Sequence, residues 1–357
     1  MKIGIIGAGI FGITIANRLA KSHQVEIIEK NKDILMASSD VNQCRVHRGY
    51  HYPRSDITVK EVLESQESFK EEYEDAIIKK IENFYCISKE NSKTSAEEYL
   101  KFCQRNNLEY EITKLNIVNE NSIDLCVKVK ENLFDHKKIK KICREKLKNN
   151  NVIIHLNQKA DEKIFENYDK IIICTYADTN ELLNKFPNNK LKAQFEICEK
   201  IFVKLPKSFD KKSVLIMDGP FMSIDPVGNT DTFIIGDVVN TVLTSNVGTT
   251  PKINNKFLDV LNKGIIANPP FTNFNSFINS AEKFMPDVKK AKHIGSSFCI
   301  KAVLSNVDKT DERPTMVREI NEKIISVFSG KIPTCVDAAK KVEKIIEKDN
   351  SIGFLKS

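Results

Sequence analysis

Residues 2–31 read KIGIIGAGIFGITIANRLAKSHQVEIIEKN, and the pattern changes character four times within them. Lys2 to Ile6 form a short apolar run of the kind a buried parallel strand shows. Gly7, Gly9 and Gly12 follow at once as G-x-G-x-x-G, with a separate task for each. Gly7 permits a tight turn, Gly9 lets backbone approach a pyrophosphate, and Gly12 lets a helix lie close to the strand. Ile13, Ala16, Leu19 and Ala20 then sit at helical spacing. The unpaired N–H groups at the start of that helix favour an anion. Val25 to Ile28 predict a second strand ending at Glu29, where a carboxylate would accept hydrogen bonds from an adenosine ribose. It would also repel a 2′-phosphate, so the stretch predicts an adenine dinucleotide, FAD or NAD, and disfavours NADP. Lys2 ahead of an apolar run has the look of a secretion signal, but the glycine offsets and the second strand favour the nucleotide reading.

The rest of the chain bounds this site. A length of 357 residues with 41% apolar content suits a protein of two domains. The nine cysteines are odd in number, scattered, and form no CxxC pair. They are expected to be reduced thiols in the core of a cytoplasmic protein, with no metal site. The net charge of +7 is spread thinly and comes from lysine, with only eight arginines among 55 basic residues. No basic block interleaved with aromatics appears, so nucleic acid is not an expected partner. No apolar run reaches the roughly 18 residues of a membrane span. Because guanidinium offers a planar fork of donors that ammonium lacks, the three arginines within NQCRVHRGYHYPRS (42–55) mark that segment for a specific task.

Thr58-Val-Lys-Glu61 and Thr94-Ser-Ala-Glu97 match the capping box and predict helices over 58–74 and 94–106. Asp135 caps another, with Ile139, Ile142, Cys143 and Leu147 on one face. NVIIHL (151–156) and DKIIICTYA (169–177) read as strands returning to the nucleotide-binding sheet. Between about 190 and 310 the chain turns β-rich, as an antiparallel sheet would. EKIISVFSGK (322–331) predicts a last strand before a helix with Val336, Ala339, Val342, Ile345 and Ile346 on its apolar face. The expected fold is therefore α/β. A Rossmann-like domain of residues 1–75, 135–190 and 318–357 is interrupted by a second domain of mixed β-sheet plus helix, residues 76–134 and 191–317.

Taken together, these residues resemble the FAD-dependent amino-acid and hydroxy-acid oxidoreductases of the D-amino acid oxidase superfamily. The opening segment looks most like the 2-hydroxyglutarate and glycerol-3-phosphate dehydrogenase branch. Four pieces in the expected order carry the likeness: the glycine fingerprint with Glu29; ASSDVNQCRVHRGYHYP (37–53), similar to the family's small residues, Asn, then His-x-Gly-x-x-Tyr-Pro; IIICTYADTNELL (171–183); and SGKIPTCVDAA (329–339). Tyr176 departs from the family's glycine and Arg48 from its small residue.

The resemblance implies a glutathione-reductase type FAD domain. It places Gly7, Gly9, Ile10, Phe11 and Gly12, then Glu29 and Lys30, on the nucleotide. Ser38, Asn42 and Thr175, and from the far end Gly330, Lys331, Ile332 and Thr334, would complete the cofactor site. The helix begun near Thr334 would aim its positive end at the flavin. His47 and His51 would accept the substrate proton, with Arg313 of DERPT (311–315) gripping an anionic group. Arg48, Tyr50 and Tyr52 would reach the substrate. Arg45, Arg48 and Arg54 bind an anion or pair with acids, and Cys44 or a histidine is a candidate flavin tether. The implied reaction abstracts hydride from a CH–OH or CH–NH carbon of a small polar anion such as a 2-hydroxy acid, amino acid or sugar derivative. With no second G-x-G-x-x-G, electrons would leave to oxygen, a quinone or a protein carrier. An NAD-dependent dehydrogenase and a non-enzymatic flavin-binding protein stay open as alternatives.

Overall fold

The computed structural model describes residues 1–305 and 312–354. Its first sheet has six strands in the order Met316–Glu319, Ile324–Phe328, Lys170–Ile173, Lys2–Ile6, Gln24–Ile28, Ile153–His155. All neighbours are parallel except the first pair. The central strands are buried on both faces, which is why they read as unbroken isoleucine runs. Helices Ile10–Leu19, His136–Asn149 and Cys335–Phe354 pack on one face. Phe165, Tyr168, Leu182 and Leu183 cover the other. Gly4 sits within the first strand because the Tyr168 ring lies 2.7 Å from where its Cβ would be.

The second sheet has nine strands and is built around two long antiparallel ones, Ala193–Lys204 and Lys292–Leu304. Val214, Ile216, Ile224 and Ile235 face helix Phe274–Glu282. With a period of two, Ser213, Ser223 and Asp225 face the other way. A small ribbon in which Arg45–Val46 and Ile77–Ile78 flank Asn132–Phe134 carries Arg45 beneath that polar face.

Two helix starts differ from expectation. The first helix runs Asp56–Glu72, and its cap is Ser55, whose hydroxyl accepts from Thr58 N at 3.3 Å. Thr58 is instead 1% exposed inside the first turn. The second runs Ala96–Arg105 with a capping box made by Ser95 and Glu98, one residue later than predicted. Thr94 is drawn off by a tertiary partner, donating to Asp218 Oδ2 at 2.7 Å. Asp135 caps its helix as expected, accepting from Lys137 N and Lys138 N. All nine cysteines are unbonded and buried. Among the described residues no helix is long and apolar enough to cross a membrane.

Candidate active site

A cleft runs between the two sheets. One end is built by the glycine turn. Gly7 has φ +103°, and a Cβ there would sit 2.6 Å from Cys174 O; a Cβ on Gly12 would sit 2.0 Å from Gly7 O. Side chains are thus excluded where helix Ile10–Leu19 meets the strands. Glu29 holds the turn in shape: Ala8 N donates to its Oε2 at 2.7 Å, while Asn31 donates to Oε1 through its backbone and its side chain. Beside it, Lys30 pairs with Asp178, and Lys159 with Glu181 at 3.0 Å, and all four line the cleft.

The middle is walled by the loop 37–44. Ser38 Oγ donates to Ile300 O at 2.9 Å, tying the loop to the roof strand, and Ile10 N donates to Ser39 Oγ. Asn42 closes the loop on itself, donating to Ser39 O and accepting from Cys44 N. Tyr176 lines the cleft at φ +54°. That left-handed backbone favours glycine, and tyrosine is held there with its ring 5.7 Å from Phe328. Burial pushes the Cys44 thiol far up, so it stays protonated and is a poor nucleophile.

At the other end, Ser329 to Ile332 meet His47. Lys331 Nζ lies 4.8 Å from the centre of the Tyr52 ring. His47 and His51 lie 5.7 Å apart, each close to Tyr52. Burial lowers both imidazole pKa values, aided by the positive charge of Lys331, His51 to about 3. Both are neutral at ordinary pH, and each has a buried Nδ1 without a hydrogen-bond partner among the described residues. Gly330 packs so closely that a Cβ would lie 2.0 Å from Arg313 O, which couples the Arg313 segment to this loop.

Of the residues singled out from sequence, Gly7, Gly9, Ile10, Phe11, Glu29, Lys30, Ser38, Asn42, Thr175, Gly330, Lys331, Ile332 and His47 line the cleft. Gly12 and Thr334 lie behind it. Thr334 braces the last loop, donating to Lys331 O at 2.7 Å and bonding to the Thr315 hydroxyl. Arg48 and Tyr50 turn away: Arg48 donates to Lys130 O and Tyr50 to Glu109 O. Arg45 and Arg54 pair with acids, Arg45 with Glu131 and Asp225 and Arg54 with Asp218. Gln43 and Lys301, which line the cleft, and Lys200, which lies close behind Gln43, were not anticipated. Lys200 carried no distinct signal, since FEICEKIFVKL (195–205) mixes two glutamates and two lysines with its apolar residues.

Over residues 2–300 the sequence matches the family described as "DAO: FAD dependent oxidoreductase". The chain belongs to this family. It is a family of FAD-dependent oxidoreductases, which counts against the NAD-dependent and non-enzymatic alternatives. An FAD-dependent monooxygenase of Fusarium mangiferae is 23% identical over 249 residues, 68% of this chain and 65% of that protein. One of Aspergillus flavus is 30% identical over 109 residues, 29% of this chain and 26% of that protein. The chain thus spans less than two thirds of the length of either relative. Glycine oxidase from Geobacillus kaustophilus shares the fold at a TM-score of 0.71, with 14% identity over 97% of this chain and 94% of that one. The dithionite-reduced, FAD-bound L-alpha-glycerophosphate oxidase of Mycoplasma pneumoniae does so at 0.73, with 13% identity and the same coverage.

Proposed function

We propose that this enzyme abstracts hydride from a CH–OH or CH–NH carbon of a small anionic molecule, such as a 2-hydroxy acid, an amino acid or a sugar derivative. The observation that carries the reading is convergence. The glycine turn near residue 7, the loop of His47 and the loop of Lys331 line one continuous cleft. Its residues fit FAD: the glycine turn keeps side chains away from the helix start, where a pyrophosphate would rest on the amides. Glu29 and Lys30 would face the adenosine end, Ser38, Asn42 and Thr175 the middle, and Gly330 to Ile332 the ring end. When bound, the flavin supplies the two-electron chemistry.

The protein's own share is to orient the substrate and receive its proton. His47 is a neutral imidazole on the cleft wall, in the protonation state a proton acceptor needs. His51 lies behind it, and Tyr52 packs against both rings. Lys331 brings positive charge to the ring end, and Arg313 stands one layer behind Gly330.

The reading predicts that a member of the three substrate classes bleaches the flavin anaerobically. His47→Asn should slow that reduction by at least about 10²-fold in stopped flow where proton transfer limits the rate. Bleaching by none of the classes, or an unchanged rate in the variant, would sink it. The monooxygenase names of the fungal relatives make dioxygen the first acceptor to try, ahead of a quinone or a protein carrier, by following oxygen uptake on reoxidation.

A further inference from the structure

Two of the nine buried cysteines face each other across a strand pair. Cys86, in Glu82–Ser88, is in register with Cys126, in the antiparallel strand Ile123–Val129. Both side chains enter the core that packs on helix Phe274–Glu282, alongside Phe84, Ile216 and Phe284. Tyr85, Ile87, Leu125 and Val127 fill the opposite face. The two sulfurs thus share one side of the sheet. They also interact: the Cys126 thiol is the largest influence on Cys86, pushing it up, and the same contact lowers Cys126.

The hydrogen-bond ladder sets their separation. Thr113 N donates to Cys126 O at 3.0 Å, so the backbone of Cys126 is turned toward the edge strand Tyr110–Ile112 and away from Cys86. Cys86 and Cys126 are therefore a non-hydrogen-bonded pair, in which Cα atoms stand about 4.5 Å apart and side chains approach most closely. A disulfide needs a Cα separation of about 4.4–6.8 Å and a Cβ separation of about 3.5–4.5 Å. Cys198 and Cys299 are also in register but are arranged otherwise. Ser38 donates to Ile300 O and Asn262 N to Phe298 O, so the carbonyls flanking Cys299 face away from Cys198. That pair is hydrogen-bonded, with its side chains farther apart. Its thiols are turned to Glu196 and Ser38.

We propose that Cys86 and Cys126 are a redox-active pair, a modification site at which a hydroperoxide closes a cross-strand disulfide. The inference goes beyond the reaction outlined above and holds for any substrate. The Cys126 sulfur attacks one oxygen of hydrogen peroxide, the O–O bond breaks, and a sulfenic acid and one water result. The Cys86 sulfur then displaces the sulfenic hydroxyl, which leaves as a second water as the S–S bond forms. The thiols give up two electrons and two protons, and peroxide is reduced to two waters. Cys126 takes the first step because it is the more acidic thiol and lies one strand from the sheet edge, 4% exposed against 0% for Cys86.

The test uses FAD-loaded protein, freed of reductant and exposed to graded hydrogen peroxide, then alkylated in denaturant and mapped by mass spectrometry. A Cys86–Cys126 linked peptide should accumulate, two hydrogens lighter than its parts, and dithiothreitol should remove it. Because the bond joins residues 40 positions apart, the oxidised protein should melt several degrees above the reduced protein. In Cys86→Ala the Cys126 sulfenic acid has no partner and should be trapped by dimedone, whereas Cys126→Ala should leave Cys86 unlabelled. Both cysteines still alkylated once methionines have begun to oxidise would overturn the proposal. So would a linked peptide joining Cys198 to Cys299 instead, or Cys126 carried on to sulfinic acid with no linked peptide. These maps are made on the wild-type chain, so they decide the matter even where a variant fails to fold. A lower melting point after linkage would overturn the claim that the strand register prepares the bond.

Discussion

Arg45 illustrates how much a single side chain in this protein depends on its neighbours. It is 4% exposed and is held between Glu131 at 3.2 Å and Asp225 at 2.7 Å, with Ser213 and Tyr85 completing its shell. Removing the cation would strand two buried carboxylates, so Arg45→Met should destabilise the fold by about 3–5 kcal/mol in chemical denaturation. A loss under about 1 kcal/mol would mean that both acids find protons or water without structural cost. The sequence marked Arg45 as special but left its partner open, because Glu131 and Asp225 lie 86 and 180 positions away. His47 was legible through the His-x-Gly-x-x-Tyr-Pro pattern around it. Arg48 and Tyr50, in the same pattern, were not: strand-to-loop geometry turns their side chains toward Lys130 and Glu109.

At the level of elements, the helix boundaries turn on which hydroxyl is free to cap. Ser55 does so for Asp56–Glu72, so Ser55→Ala should cost about 1 kcal/mol, read as a lower urea midpoint. An unchanged midpoint would mean that another group satisfies the first-turn amides. In the second case Thr94 and Ser95 are both competent caps by chemistry, and the bond from Thr94 to Asp218 settles which is used. Local sequence gives the helix and its polarity. Only a contact with a segment 124 positions distant fixes its first residue.

For the molecule as a whole, the buried histidines make stability depend on pH. In the unfolded chain a histidine takes up a proton below about pH 6.5, whereas His51 in the folded protein does so only near pH 3. Between those values the unfolded state binds more protons, so stability should fall as the solution is acidified from pH 7 to pH 4. His51→Asn should flatten that slope, and an identical slope in the variant would assign the acid sensitivity elsewhere. Cofactor removal should act on the whole fold as well, because the glycine turn, the His47 loop and the Lys331 loop face the same cleft. FAD at a hundredfold over its Kd should stabilise the protein by about 2.7 kcal/mol over the apoprotein, read as a difference in denaturation midpoint.

The sequence by itself determined the parts set by local chemistry. The strand, glycine turn and helix of residues 2–19, the carboxylate at Glu29 and the isoleucine runs of the parallel sheet follow from backbone sterics and from the period of apolar burial, while the Gly330-Lys331 loop was marked by the family resemblance. The tertiary structure alone decided which polar residues face the cleft. Gln43 and Lys301 reach the cleft, with Lys200 packed behind them close to Gly236, because two long strands pair in one register and a distant loop packs beneath them. Strand register and packing between distant segments place these charges, and neither is written in any local stretch of the chain.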